Sequence, residues 1–151
     1  MAGASRGRSD QRERRSARRA PDAQRWGVAD APASCYSRLS MIPRYTRHAM
    51  GRIWAEKNRY QKWLEVEVAT AEVEAEMGII PAAAAAAIRE RGAFDPERIA
   101  AIEAEVKHDI IAFTTNVAEH VGAEARFLHF GLTSNDVVDT AQALQIREAA
   151  A

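Results

Sequence analysis

The chain has 151 residues, with 21 Lys and Arg against 21 Asp and Glu, and one cysteine, Cys35. This is length for one domain; no disulfide can close within the chain, which suits a reducing compartment, and the longest apolar run, residues 79–88, is mostly Ala, is broken by Pro81 and is far too short to span a bilayer. The zero net charge hides a split, because residues 1–40 hold nine Arg, no Lys and four acids, whereas residues 41–151 hold twelve Lys and Arg against seventeen acids.

Three readings compete for residues 1–40. Their charge would attract nucleic acid. Their Arg and Ser content resembles a targeting peptide, although there is no apolar stretch of a secretory signal and Asp10, Glu13, Asp22 and Asp30 speak against a transit peptide. Their composition cannot bury a core. We read them as a disordered Arg-rich extension, with no nucleic-acid partner, ahead of a natural beginning at Met41.

From Met41 on, the pattern is helical throughout and the expected fold class is all-α. No stretch alternates like a strand between turn residues. Thr46 is positioned to cap a short segment that runs to Trp54. Tyr60, Leu64, Val68, Ala71 and Ala75 then mark one helical face, ended by Gly78. Pro81 opens a short Ala-rich helix that closes at Gly92. Asp95-Pro96-Glu97 combines a cap, a proline at the first helical position and an early acid. After it, Ile99, Ile102, Val106, Ile110, Phe113, Val117 and Val121 predict a single seam of about seven turns, stopped by Gly122. A final helix is expected to start near Thr133 and to be still running at Ala151, so that the chain would stop inside an element. Glu65, Glu67, Glu72, Glu74 and Glu76 read most simply as a solvated helix flank.

Three polar groups stand out. Lys107-His108-Asp109 lies midway along the expected seam helix. His108 is off the apolar stripe, on a face with Ala101, Ala104, Ala112 and Thr115 that would let a ligand or another helix approach the imidazole; a surface histidine on a charged turn is the plainer alternative. In "HFGLTSND", residues 129–136, Thr133 or Ser134 can cap the following helix. Unpaired backbone N–H groups and the positive end of the helix dipole then favour a carboxylate or phosphate. Gly131 frees the turn and His129 is placed to hydrogen-bond a ligand beside it, although an ordinary cap would use the same residues. Arg44-Tyr45 sets a guanidinium beside a phenol, a pairing that suits a phosphate. His48 and His120 fit solvated faces. No residues sit at metal-ligand spacing, and there is no P-loop and no dinucleotide fingerprint, so neither metal nor cofactor is expected.

Together, "MIPRYT", "IWAEKNRYQKWLEVE", "AEMGIIP", "KHDIIAFT" and "HFGLTSNDVVDTA" closely resemble, in order and spacing, the N-terminal part of the bacterial adenylosuccinate lyases, within the fumarase/argininosuccinate lyase superfamily. The resemblance covers residues 41–148, with Lys107 standing where Arg is often found and Phe130 where Tyr is common. It implies an N-terminal helical domain over 41–132 and, over 133–151, the start of a central helical bundle. It implies β-elimination of fumarate from adenylosuccinate and from the succinyl-carboxamide intermediate of purine synthesis, by a cytoplasmic homotetramer without a cofactor.

By the same resemblance, Thr133 and Ser134 hold a succinyl carboxylate, His129 lies beside the ligand, Arg44 and Tyr45 contact the nucleotide phosphate, and Lys107, His108 and Asp109 contact the substrate, with His108 close to the chemistry. The family's general-acid histidine and serine loop lie further along, and neither motif occurs in these 151 residues. The chain by itself is therefore expected to lack lyase activity. The alternatives are another lyase of the superfamily, for a carboxymuconate-type or argininosuccinate-type substrate, and a non-catalytic helical interaction module.

Overall fold

The computed structural model describes residues 43–151, so the expected disordered extension, Cys35 and the beginning at Met41 lie outside the described residues. Those described form a helical assembly: a 3-10 turn at Pro43–Tyr45, α1 at His48–Ile53, α2 at Glu56–Glu76, α3 at Ala82–Arg91, α4 at Pro96–Val106, α5 at Asp109–Val121, a 3-10 turn at Ala123–Phe127 and α6 at Ser134–Ala150. Among the described residues there is no strand, as the patterning predicts.

The long helix α2 is the spine. Its 21 residues reach about 30 Å, and its buried face is Tyr60, Trp63, Leu64, Glu67 and Ala71. It ends as expected at Gly78, whose φ is 73°. The Gly78 N–H donates to the Ala75 carbonyl at 3.0 Å and the Ile79 N–H to the Glu74 carbonyl at 2.8 Å. These two bonds close a Schellman motif that satisfies the last carbonyls of the helix. The chain then reverses into α3, with Pro81 at its N-cap and Gly92 at its C-cap. Arg89 of α3 pairs with Glu72 of α2.

The second hairpin corrects an expectation. Residues 96–121 are not one helix. Lys107 adopts a left-handed backbone, φ 56°, and ends α4; His108 is extended and begins α5. The two halves fold back on one another. Arg98 near the start of α4 meets Glu119 near the end of α5 at 2.6 Å, and the buried Asn116 side chain accepts the Asp95 N–H at 2.8 Å. The apolar positions on both sides of the break face inward, so the spacing of three and four reads on across it. Doubling back lets Ile99 and Ile102 pack beside Ile110, Phe113, Val117 and Val121, burial that a straight helix would leave to another partner. Val106, expected in the seam, sits at the corner and is 43% exposed. The start of α4 is as read: Asp95 caps, its Oδ1 accepting the Glu97 N–H at 2.9 Å, with Pro96 at the first position.

The core centres on rings. Phe113 of α5 lies 5.4 Å from Trp63, edge to face, and 5.9 Å from Tyr60, stacked. Phe94, in the link between α3 and α4, completes the group at 5.9 Å from Tyr60. Helix α6 lies antiparallel along α2, burying Val137, Ala141 and Gln145. At its far end Glu148 pairs with Lys62 at 2.6 Å. The Gln145 amide donates to the Ile53 carbonyl at 2.8 Å, which also accepts from the Asn58 amide at 2.8 Å, tying down the end of α1. The cap position of α1 is Arg47, not Thr46, because the helix starts one residue later than the pattern suggested.

Candidate active site

The loop between the 3-10 turn at 123–127 and α6 holds "HFGLTSND". Leu128 is extended, His129 has φ 59° and Gly131 has φ 70°. Two left-handed residues within three reverse the chain sharply. Gly131 carries one without cost, but a histidine in that region is uncommon. Thr133 is the N-cap of α6 and forms a capping box with Asp136. The Thr133 N–H donates to Asp136 Oδ2 at 2.7 Å, and that bond holds the Asp136 carboxyl below the usual carboxylate range. Ser134 is the first helical residue rather than the cap. Among the described residues, no acceptor meets the N–H groups of Ser134 and Asn135. Two unpaired donors at a helix start, two hydroxyls and an imidazole therefore share one short loop, with one carboxylate already taking part of the dipole's positive end.

What fixes this loop is a residue that reads from the sequence as solvated flank. Glu67 is 2% exposed, in the buried face of α2. One of its oxygens lies 2.6 Å from His129 Nδ1 and the other accepts the His129 backbone N–H at 2.9 Å. Burial pushes the Glu67 carboxyl above its ordinary range, and the histidine beside it pulls the other way. A carboxylate without partners would not be tolerated there. The signal was present in the spacing: Glu67 is three residues after Leu64 and four before Ala71, on the apolar face itself. Of the five acids expected on a solvated flank, Glu67 alone is buried; Glu65 and Glu76 are exposed, and Glu72 and Glu74 half-buried.

Lys107-His108-Asp109 forms the α4–α5 corner rather than mid-helix. All three are exposed. His108 caps α5, its Nδ1 accepting the Ile111 N–H at 3.4 Å, and Asp109 Oδ1 accepts the Ile110 N–H at 2.7 Å. His108 Nδ1 lies 3.5 Å from Asp109 Oδ1. Arg44 and Tyr45 occupy the first 3-10 turn, with the guanidinium 4.7 Å above the Tyr45 ring and Tyr45 73% exposed. Arg44 is thus assembled with Tyr45 and Lys107 to Asp109 as a corner, whereas His129 bonds to Glu67 and shares its loop with Thr133 and Ser134. Among the described residues no hydrogen bond, ion pair or ring contact joins one group to another.

Residues 44–151 match the model of a protein family described as lyase. Among curated proteins, the chain is 55% identical over 106 residues to an adenylosuccinate lyase of Synechocystis sp., covering 70% of this chain and 25% of that protein. It is 50% identical over 109 residues to the adenylosuccinate lyase of Streptococcus mutans and 47% identical over 109 residues to that of Bacillus subtilis, covering 72% of this chain and 25% of each. The chain therefore spans about a quarter of the length of the curated relatives it matches. Among solved structures, a fumarate lyase from Mesorhizobium sp. BNC1 aligns with a TM-score of 0.59 at 34% identity, over 66% of this chain and 24% of that one.

Proposed function

The chain belongs to the lyase family, and from that premise we propose that it supplies the carboxylate- and phosphate-binding part of an adenylosuccinate lyase. In the reaction, a base takes the proton from the carbon next to a succinyl carboxylate and charge builds on that carboxylate. The C–N bond then breaks, fumarate leaves with the new double bond, and an acid protonates the departing nitrogen. Donors aimed at the charged carboxylate lower the barrier.

In this reading the succinyl carboxylate sits at the start of α6, on the N–H groups of Ser134 and Asn135 and the hydroxyls of Thr133 and Ser134, with His129 beside it. Arg44 and Tyr45 meet the nucleotide phosphate. Lys107, His108 and Asp109 contact the substrate, with His108 near the proton transfers. Since the three groups do not touch within this chain, the reading places them around one ligand in an assembly of several copies, a cytoplasmic homotetramer acting in purine nucleotide synthesis. In such an enzyme, residues 41–132 are the N-terminal helical domain and 133–151 begin the central bundle.

The observation that carries the proposal is the pair of unpaired donors at 134–135 beside His129, in a chain 47–55% identical to adenylosuccinate lyases. The test is a chimera in which residues 44–151 replace the matched quarter of the Bacillus subtilis enzyme. Fumarate release from adenylosuccinate, followed by absorbance, is the expected result. A folded chimera that binds or turns over no adenylosuccinate would overturn the proposal.

A further inference from the structure

Glu67 and His129 are 62 positions apart, and their two hydrogen bonds tie the candidate loop to the core of α2. The contact is asymmetric. The Glu67 side chain is 1% exposed and the His129 side chain 18%, so one edge of the imidazole faces the interior while the ring keeps access to the surface. Both carboxylate oxygens go to the same residue, one to Nδ1 and one to the backbone N–H.

A carboxylate that only filled space there would be replaced to advantage by an apolar side chain of its size, since taking the charge out of water is costly. A loop that only needed a left-handed residue would use glycine at 129 without strain. The chain instead keeps an acid inside and a histidine in a strained backbone. Together they do what neither alternative can: a carboxylate accepting from one ring nitrogen decides which tautomer the ring adopts and which nitrogen is left over.

We propose that Glu67 is a positioning residue for His129, keeping the proton on Nδ1 and reserving Nε2 for the ligand received at the start of α6. The inference rests on the functional reading of that loop. Glu67 touches no ligand in this account; it acts through the imidazole. The other charged groups facing the loop are Glu74, whose Oε1 lies 3.4 Å from where a side chain at Gly131 would begin, and Asp136 on the first turn of α6. The Thr133 N–H engages Asp136, leaving Glu67 as the carboxylate at Nδ1.

The tautomer can be read directly by long-range 15N–1H correlation on the 151-residue chain, with the His129 signals assigned by their loss in His129→Asn. Across a pH titration, Nδ1 should keep the shift of a protonated nitrogen while Nε2 alone exchanges its proton. In Glu67→Gln, both nitrogens should share the exchange. A wild-type ring protonated at Nε2 in its neutral form would overturn the inference without any variant having to fold, and so would an unchanged tautomer in folded Glu67→Gln. In the chimera, Glu67→Gln should lower kcat on the order of 10- to 100-fold, by analogy with carboxylates that orient metal-binding imidazoles, while KM moves much less. Undiminished kcat overturns the positioning role. If the chimera carrying native residues 44–151 is itself inactive, the functional reading fails, and the tautomer measurements alone decide the role of Glu67.

Discussion

The corner at 107–109 and the loop at 129–136 are both short polar turns that start a helix, and both carry a histidine. They are held in different ways. The corner is built from its own residues: Lys107 turns left-handed, and His108 and Asp109 cap the helix that follows, all in solvent. The loop has a local cap too, Thr133 with Asp136, but its histidine is clamped from 62 positions away by an acid inside the core. A turn of the first kind can be altered with little consequence for the fold. A turn of the second kind couples the candidate site to the packing of α2 and α6.

Removing the clamp should have the largest effect on stability. Glu67→Ala breaks a buried pair, strips the His129 N–H of its acceptor and leaves a void. We expect a loss of about 3 kcal/mol, measured by urea denaturation followed by circular dichroism. A loss no larger than that of His108→Ala would abolish the distinction between the two turns.

Ser134→Ala separates function from folding within the clamped loop. Thr133 still caps α6, so stability should fall by at most about 1 kcal/mol. Turnover of adenylosuccinate by the chimera should fall on the order of 100-fold, because a donor is lost where charge develops. A low melting temperature with normal turnover would make the loop a structural cap and nothing more.

Gly131→Ala tests how tightly the loop is shaped. Its φ is 70° and a Cβ there would come 3.4 Å from Glu74 Oε1, so a cost of about 1–2 kcal/mol is expected from the left-handed backbone. At the corner, His108→Ala removes a long, exposed cap bond and should cost less than about 1 kcal/mol, while reducing turnover of the chimera sharply if His108 lies near the proton transfers. Thermal melting and activity on the same preparations distinguish the two.

The smallest effects concern pH, and they have opposite signs in one loop. Asp136 is held low by the Thr133 N–H, so its stabilisation is present above the ordinary carboxylate range and is lost as pH falls through its folded pKa. The deficit of Asp136→Asn relative to the wild type should therefore vanish in acid. Glu67 is pushed up by burial, so its contribution is full below its unfolded value and is lost as pH rises through the folded one. The deficit of Glu67→Gln should be largest in acid and shrink on raising the pH. Parallel denaturation curves at several pH values check both, and a shared direction would contradict the contrast.

Local chemistry made much of this fold legible in the sequence. The helix ends at Gly78 and Gly92, the cap at Asp95 and the start of α6 at Thr133 depend on residues within a few positions of one another, and those interactions are the same in any fold. The all-α class followed from apolar spacing, since a helical face must be buried whatever lies opposite it. The polar groups at Arg44, Lys107 to Asp109 and His129 to Ser134 could be located because their residue types and spacings are local facts.

Only tertiary structure decided where spacing is ambiguous. Residues 96–121 keep a helical rhythm across the Lys107 break, and nothing in periodicity distinguishes a straight seam from one folded in two; the gain from packing α4 against α5 chose the hairpin. Glu67 is one of five acids in the same stretch of α2; its spacing sets it on the apolar face, but its partner His129 lies 62 positions away, where local patterning cannot supply it. The reason is the same in both cases: a long-range contact is worth its cost only when the rest of the chain has brought the partner there.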